Sequence, residues 1–444
     1  MRSTRRKPPL TVVLNGRPVG EVAMAASGAV AFRYDQAWLD WEYALPISLS
    51  LPLQAQAHIG APVIAYLENL LPDNQNIRER VAARVGAGGT DAYHMLEKIG
   101  RDCVGALQFF VDYTGNETSP EITGEVLSDS QIAGMIKNLS TAPLGIRAED
   151  DFRISIAGAQ EKTALLKKDG KWLRPFGSTP TTHIVKTQLG QLPNGVNLSH
   201  SVENEFFCMQ FCRAMGANMA NVEIYDFDDT RALIVERFDR RWTNRGALIR
   251  LPQEDFCQAL KYPPSQKYQT DGGPVIKSCA ALLSGSNTPI NDQLAFFQAQ
   301  ILFWILGATD GHAKNFSLFL QPGASFAMTP LYDILSAQQA VDEGQIRHHQ
   351  FRLAMSVGAN NHYRIDEIVP RHFLQSAKAA GLGVALVSDL LTRIFDDMPA
   401  AIDKTIAVLP DDFPSDLCDA LVNGIKMRHR MLGLGLTRDA ELEG

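Results

Sequence analysis

Cysteine is scarce in this chain: six residues among 444, at positions 103, 208, 212, 257, 279 and 418, scattered through apolar segments. That scatter excludes a disulfide scaffold, which belongs to short, cysteine-dense secreted chains, and predicts reduced core thiols. Cys208 and Cys212 stand one helical turn apart, but no histidine lies at zinc-ligand spacing, so they read as a buried helix face. Long apolar runs are missing too. The longest, 296–308, contains Gln298 and Gln300, and at roughly a dozen residues it falls short of the ~20 that a membrane span needs. It predicts a buried helix, and no membrane association is expected. The basic start passes into Pro8 and Pro9 instead of an apolar core, so no secretion signal is read and a cytoplasmic location is expected. Positive charge is not in excess either. A net charge of −7 excludes polyanion binding over the whole surface and leaves only a local basic face for nucleic acid.

What remains is ordinary globular material, 45% apolar and 20% charged, long enough for roughly two to three packed lobes. Asn15-Gly16 between the strand-like segments 11–14 and 18–23 is a hairpin signal, since both residues tolerate positive φ. Helices are expected around 62–71 and 76–85, a strand at 104–111, and a polar connection at 115–125. From 152 the pattern changes to short strands at 153–156, 163–167, 182–187 and 231–235, interrupted by one helix at 202–215. Beyond about 251 the chain reads as mainly helical. These shifts divide it into a mixed α/β part at 1–140, a second strand-rich part at 141–250, and a helical lobe at 251–444. A strand-rich part followed by an all-helical lobe is the order of a two-lobed, kinase-like α+β fold.

The stretch richest in chemistry is 307–317. Asp310 and Asn315 stand at the Asp-x₄-Asn spacing of a protein-kinase catalytic loop. Phosphoryl transfer needs a carboxylate to orient the attacking hydroxyl and accept its proton, and oxygen ligands to hold Mg²⁺ against the phosphates. This loop offers both, with Lys314 to neutralise developing charge. Asp and Asn also favour capped turns, so the spacing has a purely structural reading as well. Asp333, in Leu331-Tyr332-Asp333-Ile334, follows strand-like segments at 316–320 and 325–329 and stands where a second Mg²⁺ ligand is expected. Asp-Ile-Leu here replaces Asp-Phe-Gly, so the activation switch of ordinary protein kinases is not implied. Upstream, Lys186 ends a short strand and can act as a point charge on phosphates, with Glu205 on the next helix able to orient it. Glu236-Arg237-Phe238 ends another strand and can present backbone groups to adenine. The segment Ser155-Ile156-Ala157-Gly158-Ala159-Gln160-Glu161-Lys162 is neither G-x-G-x-x-G nor a Walker A pattern. It reads as a hairpin turn whose small residues admit close approach of backbone N–H groups to phosphate.

Taken together, 154–162, 181–186, 235–242 and 308–317, with 45–53 and 69–73 nearer the start, closely resemble the HipA family of bacterial toxin kinases. The resemblance spans nearly the whole chain. It implies a protein-kinase-like fold related to lipid kinases, with ATP and Mg²⁺ bound between the lobes. On the matching positions, Ala157, Gly158, Ala159, Gln160, Glu161, Lys162 and Lys186 would hold phosphates, with His312 and Lys314 also at the nucleotide. Glu236 and Phe238 would form the hinge, Asp310 would be the base, and Asn315 and Asp333 would bind Mg²⁺. Ser155 matches the family's autophosphorylated serine. The implied protein substrate is a glutamate-type aminoacyl-tRNA synthetase, and the implied partner is a HipB-like helix-turn-helix antitoxin. Operator DNA would be met through that complex. Lys378 matches one DNA-contacting position of the family, but 379–383 lacks the further arginine; Arg371, Lys426, Arg428 and Arg430 are the other basic candidates. Two further functions stay open on the sequence: a co-repressor subunit with a dormant kinase centre, and a small-molecule or lipid kinase.

Overall fold

Asn15 and Gly16 sit at φ +46° and +84° and close a two-residue turn that sets Leu14 opposite Arg17, as their positive-φ tolerance predicts. The computed structural model describes residues 7–118, 121–139, 142–145, 154, 160–192 and 194–443, the side chains of 438–443 excepted. It divides into two compact units. One comprises Met1–Thr187, Tyr225–Ser265 and Ser317–Phe326; the other comprises Gln188–Ile224, Gln266–Phe316 and Ala327–Gly444.

Most strands of the first unit fall in two larger sheets. Five strands run in the spatial order His58–Ile59, Val30–Tyr34, Arg17–Met24, Leu10–Leu14, Leu107–Val111. Leu10, Val12, Phe32 and Phe109 are buried on it. The helices expected near its chain neighbours are present as Ala61–Glu68 and Gln75–Val85, the latter capped by the Asn74 side chain. Six strands form the second sheet, ordered Val222–Phe227, Thr230–Glu236, His183–Thr187, Lys162–Lys168, Lys171–Pro175, Gly124–Leu127. Leu165, Trp172, Val185, Phe227 and Ile234 line its core, with Ile132 and Ile136 from the helix Asp129–Lys137.

Three further strand ends of this unit meet in a fully buried ionic cluster. The Arg237 guanidinium donates to Asp239 Oδ1 and Oδ2 at 3.0 and 2.8 Å. Arg240 Nη2 and Arg250 Nε donate to Asp102 Oδ1 at 2.8 and 3.0 Å, and Thr181 Oγ1 donates to Asp102 Oδ2 at 2.7 Å. Burial alone would raise the Asp102 carboxyl, but the guanidiniums of Arg240, Arg250 and Arg237 outweigh it and hold the group well below the usual carboxylate range. Burial pushes Arg250 the other way, down to about 10, against the pull of Asp102.

The second unit is built on helices: Ser201–Ala214, Pro289–Leu306, Pro370–Ala379, Val384–Ile406 and Ser415–Glu443. The apolar run read as a buried helix is the C-terminal half of Pro289–Leu306, and every residue from 299 to 306 is buried. Among the described residues no helix is long and apolar enough to cross a membrane. The expectation of an all-helical lobe from 251 onward needs correction. Ser317–Gln321 and Ser325–Met328 are the strands read at 316–320 and 325–329, and Gln253–Asp255, Arg352–Val357 and His362–Arg364 are strands as well. The apolar segment 353–357 is too short for its periodicity to separate helix from strand. Gly358 and Asn361, at φ +79° and +54°, turn it back into a hairpin.

Candidate active site

The helix Pro289–Leu306 ends because Gly307 adopts φ +67°, with Ala308 N–H donating to Phe303 O at 2.8 Å. The chain then turns sharply: His312 N–H donates to Asp310 O at 2.8 Å and Asn315 N–H to His312 O at 2.9 Å. Only glycine fits at 311, since a Cβ there would lie 2.2 Å from the Phe303 ring. The result raises Asp310 out of a buried helix end, its side chain 57% exposed, while His312, Lys314 and Asn315 stay buried.

The segment carrying Asp333 is stitched to both ends of this loop. At one end Ser336 Oγ donates to Leu306 O at 2.5 Å and Ala337 N–H to Gly307 O at 3.0 Å. At the other, Tyr332 Oη donates to Lys314 O at 2.8 Å and Asn315 Nδ2 to Asp333 O at 3.2 Å. Asn204, on the helix Ser201–Ala214, clamps Ser336 through its backbone N and O, both at 2.9 Å. Asp333 itself is held at φ +61°, a conformation uncommon outside glycine that such bracing sustains. The local chain path therefore sets Asn315 against Asp333, on a segment joined to both ends of the loop that carries Asp310.

Among the described residues no three His, Cys, Asp or Glu side chains cluster as a metal cage. Mg²⁺ held against phosphates needs none, because it keeps waters and takes one or two protein oxygens. The Asn315 amide oxygen and the Asp333 carboxylate fit that donor set.

In the first unit, Lys162 and Lys186 are cross-strand partners in register, both 5% exposed, so their side chains leave one face of the sheet side by side. Gln160 Nε2 donates to Thr187 O at 3.0 Å, and the Glu161 carboxylate pairs with Arg80 at 2.6 Å. Glu236 is exposed at its strand end, and the Phe238 ring packs edge-on to Phe319 with centroids 5.7 Å apart. Ser155, Ala157, Gly158 and Ala159 lie outside the described residues. In the second unit Glu205 is buried within Ser201–Ala214.

Lys378 and Arg371 are exposed on the helix Pro370–Ala379, and Lys426 and Arg430 on Ser415–Glu443. Arg428 is not part of a solvated basic face. It is 1% exposed, and its Nε donates to Ile305 O at 2.6 Å. Sequence reasoning missed Tyr268, whose hydroxyl reaches Asp310 from 42 positions upstream. It also missed the ionic cluster that brackets Phe238 through Arg237, Asp239 and Arg240.

Comparison with known proteins finds relatives that match nearly the whole chain. A HipA-like C-terminal domain matches residues 154–406, and a HipA N-terminal domain matches residues 10–110. The chain is 32% identical over 424 residues to the putative kinase Y4mE of Sinorhizobium fredii, covering 95% of each. It is 28% identical over 427 residues to the serine/threonine-protein kinase toxin HipA of Shewanella oneidensis, covering 92% of each. The solved structure of HipA from Shewanella oneidensis MR-1, in a complex of HipA, HipB and operator DNA, superposes with a TM-score of 0.81 at 26% identity, over 96% of this chain and 97% of that one. With the C-terminal domain matching more than half of its residues and a relative matching nearly all of them, the chain belongs to the HipA family of kinases.

Proposed function

We propose that this chain transfers the γ-phosphoryl group of ATP to a serine or threonine hydroxyl of a translation protein, a glutamate-type aminoacyl-tRNA synthetase being the expected acceptor. It modifies itself on Ser155, and it acts with a HipB-like antitoxin as an operator-binding repressor complex. The observation that carries the kinase reading is the stitching of the Asp333 segment to both ends of the loop that presents Asp310 and Asn315. Mg·ATP supplies the phosphoryl group, with the metal neutralising charge on the transferring oxygens. Asp310 orients the acceptor hydroxyl and takes its proton. Asn315 and Asp333 hold the metal through oxygen. Lys162, Lys186 and Lys314 attract the phosphates, and Glu236 and Phe238 serve as the hinge. A phosphate on Ser155 would add ~−1.5 to −2 charge beside the small-residue loop, which disfavours a second anion there and switches the kinase off.

The repressor role is supported by the likeness to a HipA solved with HipB and operator DNA, and by the exposed Arg371 and Lys378 on one helix. The intact set of Asp310, Asn315, Asp333 and Lys186 favours an active kinase over a dormant one. Asp333→Ala tests the metal role. Titration calorimetry of ATP with and without Mg²⁺ should find weaker binding in the variant only when Mg²⁺ is present. Turnover should fall on the order of 100-fold, as loss of a ligand to a charge-stabilising metal predicts. A variant that binds and uses Mg·ATP like the wild type would remove Asp333 from the ligand set.

A further inference from the structure

Beside Asp310 lies a hydroxyl that no sequence motif marks. Tyr268 donates its phenolic O–H to Asp310 Oδ1, and its ring meets His312 edge-on with centroids 4.8 Å apart. His312 Nε2 stands 3.8 Å from the same carboxylate oxygen, too far for a hydrogen bond. All three residues belong to the second unit.

The segment that carries Tyr268 is built to hold it. Gln269 grips Ser356 twice, donating from Nε2 to Oγ at 2.8 Å and accepting from the backbone N–H at 2.9 Å. Ala313 N–H, inside the catalytic loop, donates to Lys267 O at 3.3 Å. Asp271 and Gly273 N–H groups donate to Tyr268 O at 3.1 and 3.0 Å, closing a turn around it. Gly273 cannot be another residue in this turn, because a Cβ would fall 2.0 Å from Gln266 O. An aspartate side chain that is more than half exposed has rotamer freedom, and a base that wanders loses the near-attack geometry on which its rate depends. A tyrosine fixed at its backbone, its ring and the next side chain removes that freedom.

We propose that Tyr268 is the positioning residue of the base: its hydroxyl fixes the Asp310 carboxylate through Oδ1 and leaves Oδ2 to take the proton of the acceptor hydroxyl. The proposal rests on Asp310 being the base. The phenol keeps its own proton throughout; only the acceptor's proton moves, onto Oδ2.

The test measures total ADP formed from Mg·ATP by the full chain, which counts transfer to any acceptor. It compares wild type, Tyr268→Phe, Asp310→Asn and the double variant, with thermal melts and KM for ATP on each. Tyr268→Phe should lower kcat about tenfold, the order expected for loss of an orienting hydrogen bond to a catalytic group, with KM for ATP and the melting temperature nearly unchanged. The double variant should be no slower than Asp310→Asn, since Tyr268 acts through Asp310. A wild-type rate in Tyr268→Phe, or a further tenfold loss in the double variant, would overturn the positioning role alone. Undiminished turnover in Asp310→Asn would instead sink the base assignment, and the proposal with it. Gln269→Ala, which loosens the segment without touching the base, gives a second reading. Its kcat should fall by a smaller factor at constant KM, and an unchanged kcat would contradict the proposal even if Tyr268→Phe fails to fold.

Discussion

Asp310→Asn should slow phosphoryl transfer by about 10²- to 10⁴-fold, the contribution of a positioned general base. The amide is close to isosteric and still offers Oδ1 to the Tyr268 hydroxyl, so the loop of 307–317 should keep its shape. What it loses is an atom able to take the acceptor's proton and the negative charge that orients the hydroxyl. ATP affinity should stay within about twofold, because the groups assigned to the phosphates are lysines and the metal ligands. Rapid-quench measurement of transfer, beside a nucleotide-binding titration, separates the two quantities. Transfer at the wild-type rate would end the assignment. A loss of nucleotide binding as large as the loss of rate would move Asp310 from the base to the nucleotide site.

The second large effect is on stability. Asp102→Asn should destabilise the first unit by about 3–5 kcal/mol, the usual result of removing one partner from a buried charge cluster. Arg250 and Arg240 would lose the carboxylate of Asp102, leaving Asp239 to pair with Arg237 and Arg240 while Arg250 stays buried without a carboxylate partner of its own. At about 2–4 °C per kcal/mol for a unit of this size, the melting temperature should drop by roughly 10 °C. The sign of the pH dependence follows from the depressed carboxyl of Asp102. Its stabilisation is present above the ordinary aspartate range and is lost as pH falls through and below it, so the gap between wild type and variant should narrow in acid. Calorimetric melts at neutral pH and near pH 3 check both statements. A variant that melts with the wild type at neutral pH would mean that the cluster contributes nothing net.

The parts legible in the sequence were those written in local signals. Asn15-Gly16 declared its hairpin through the φ angles that those two residues tolerate. The strands His183–Thr187 and Thr230–Glu236 and the helix Ser201–Ala214 declared themselves by periodicity. Asp310 and Asn315 are proposed from their spacing, and both lie on one short loop.

What the sequence hid depends on distant pairing. Asp102 meets Thr181 and Arg250 across 79 and 148 residues of chain, and no local pattern announces such a match. Tyr268 reaches Asp310 through a turn whose requirement, the missing Cβ of Gly273, is visible only in three dimensions. Arg428 is different, because its signal was available. Leu421, Ile425, Arg428 and Leu432 fall on one stripe of the helix Ser415–Glu443, and all four are buried. A basic residue on an apolar stripe belongs to the packed face, where its guanidinium must find a carbonyl, here that of Ile305.

The central claim is that this chain moves a phosphoryl group from ATP to a protein hydroxyl. Its most direct test is to incubate the full chain with γ-labelled ATP, Mg²⁺ and purified glutamate-tRNA ligase, and to locate the label by mass spectrometry. The account predicts acid-stable phosphoserine or phosphothreonine on the ligase and on Ser155, absent when Asp310→Asn replaces the wild type. Label found only on a small molecule or lipid, or ATP bound with no transfer to any protein, would contradict it.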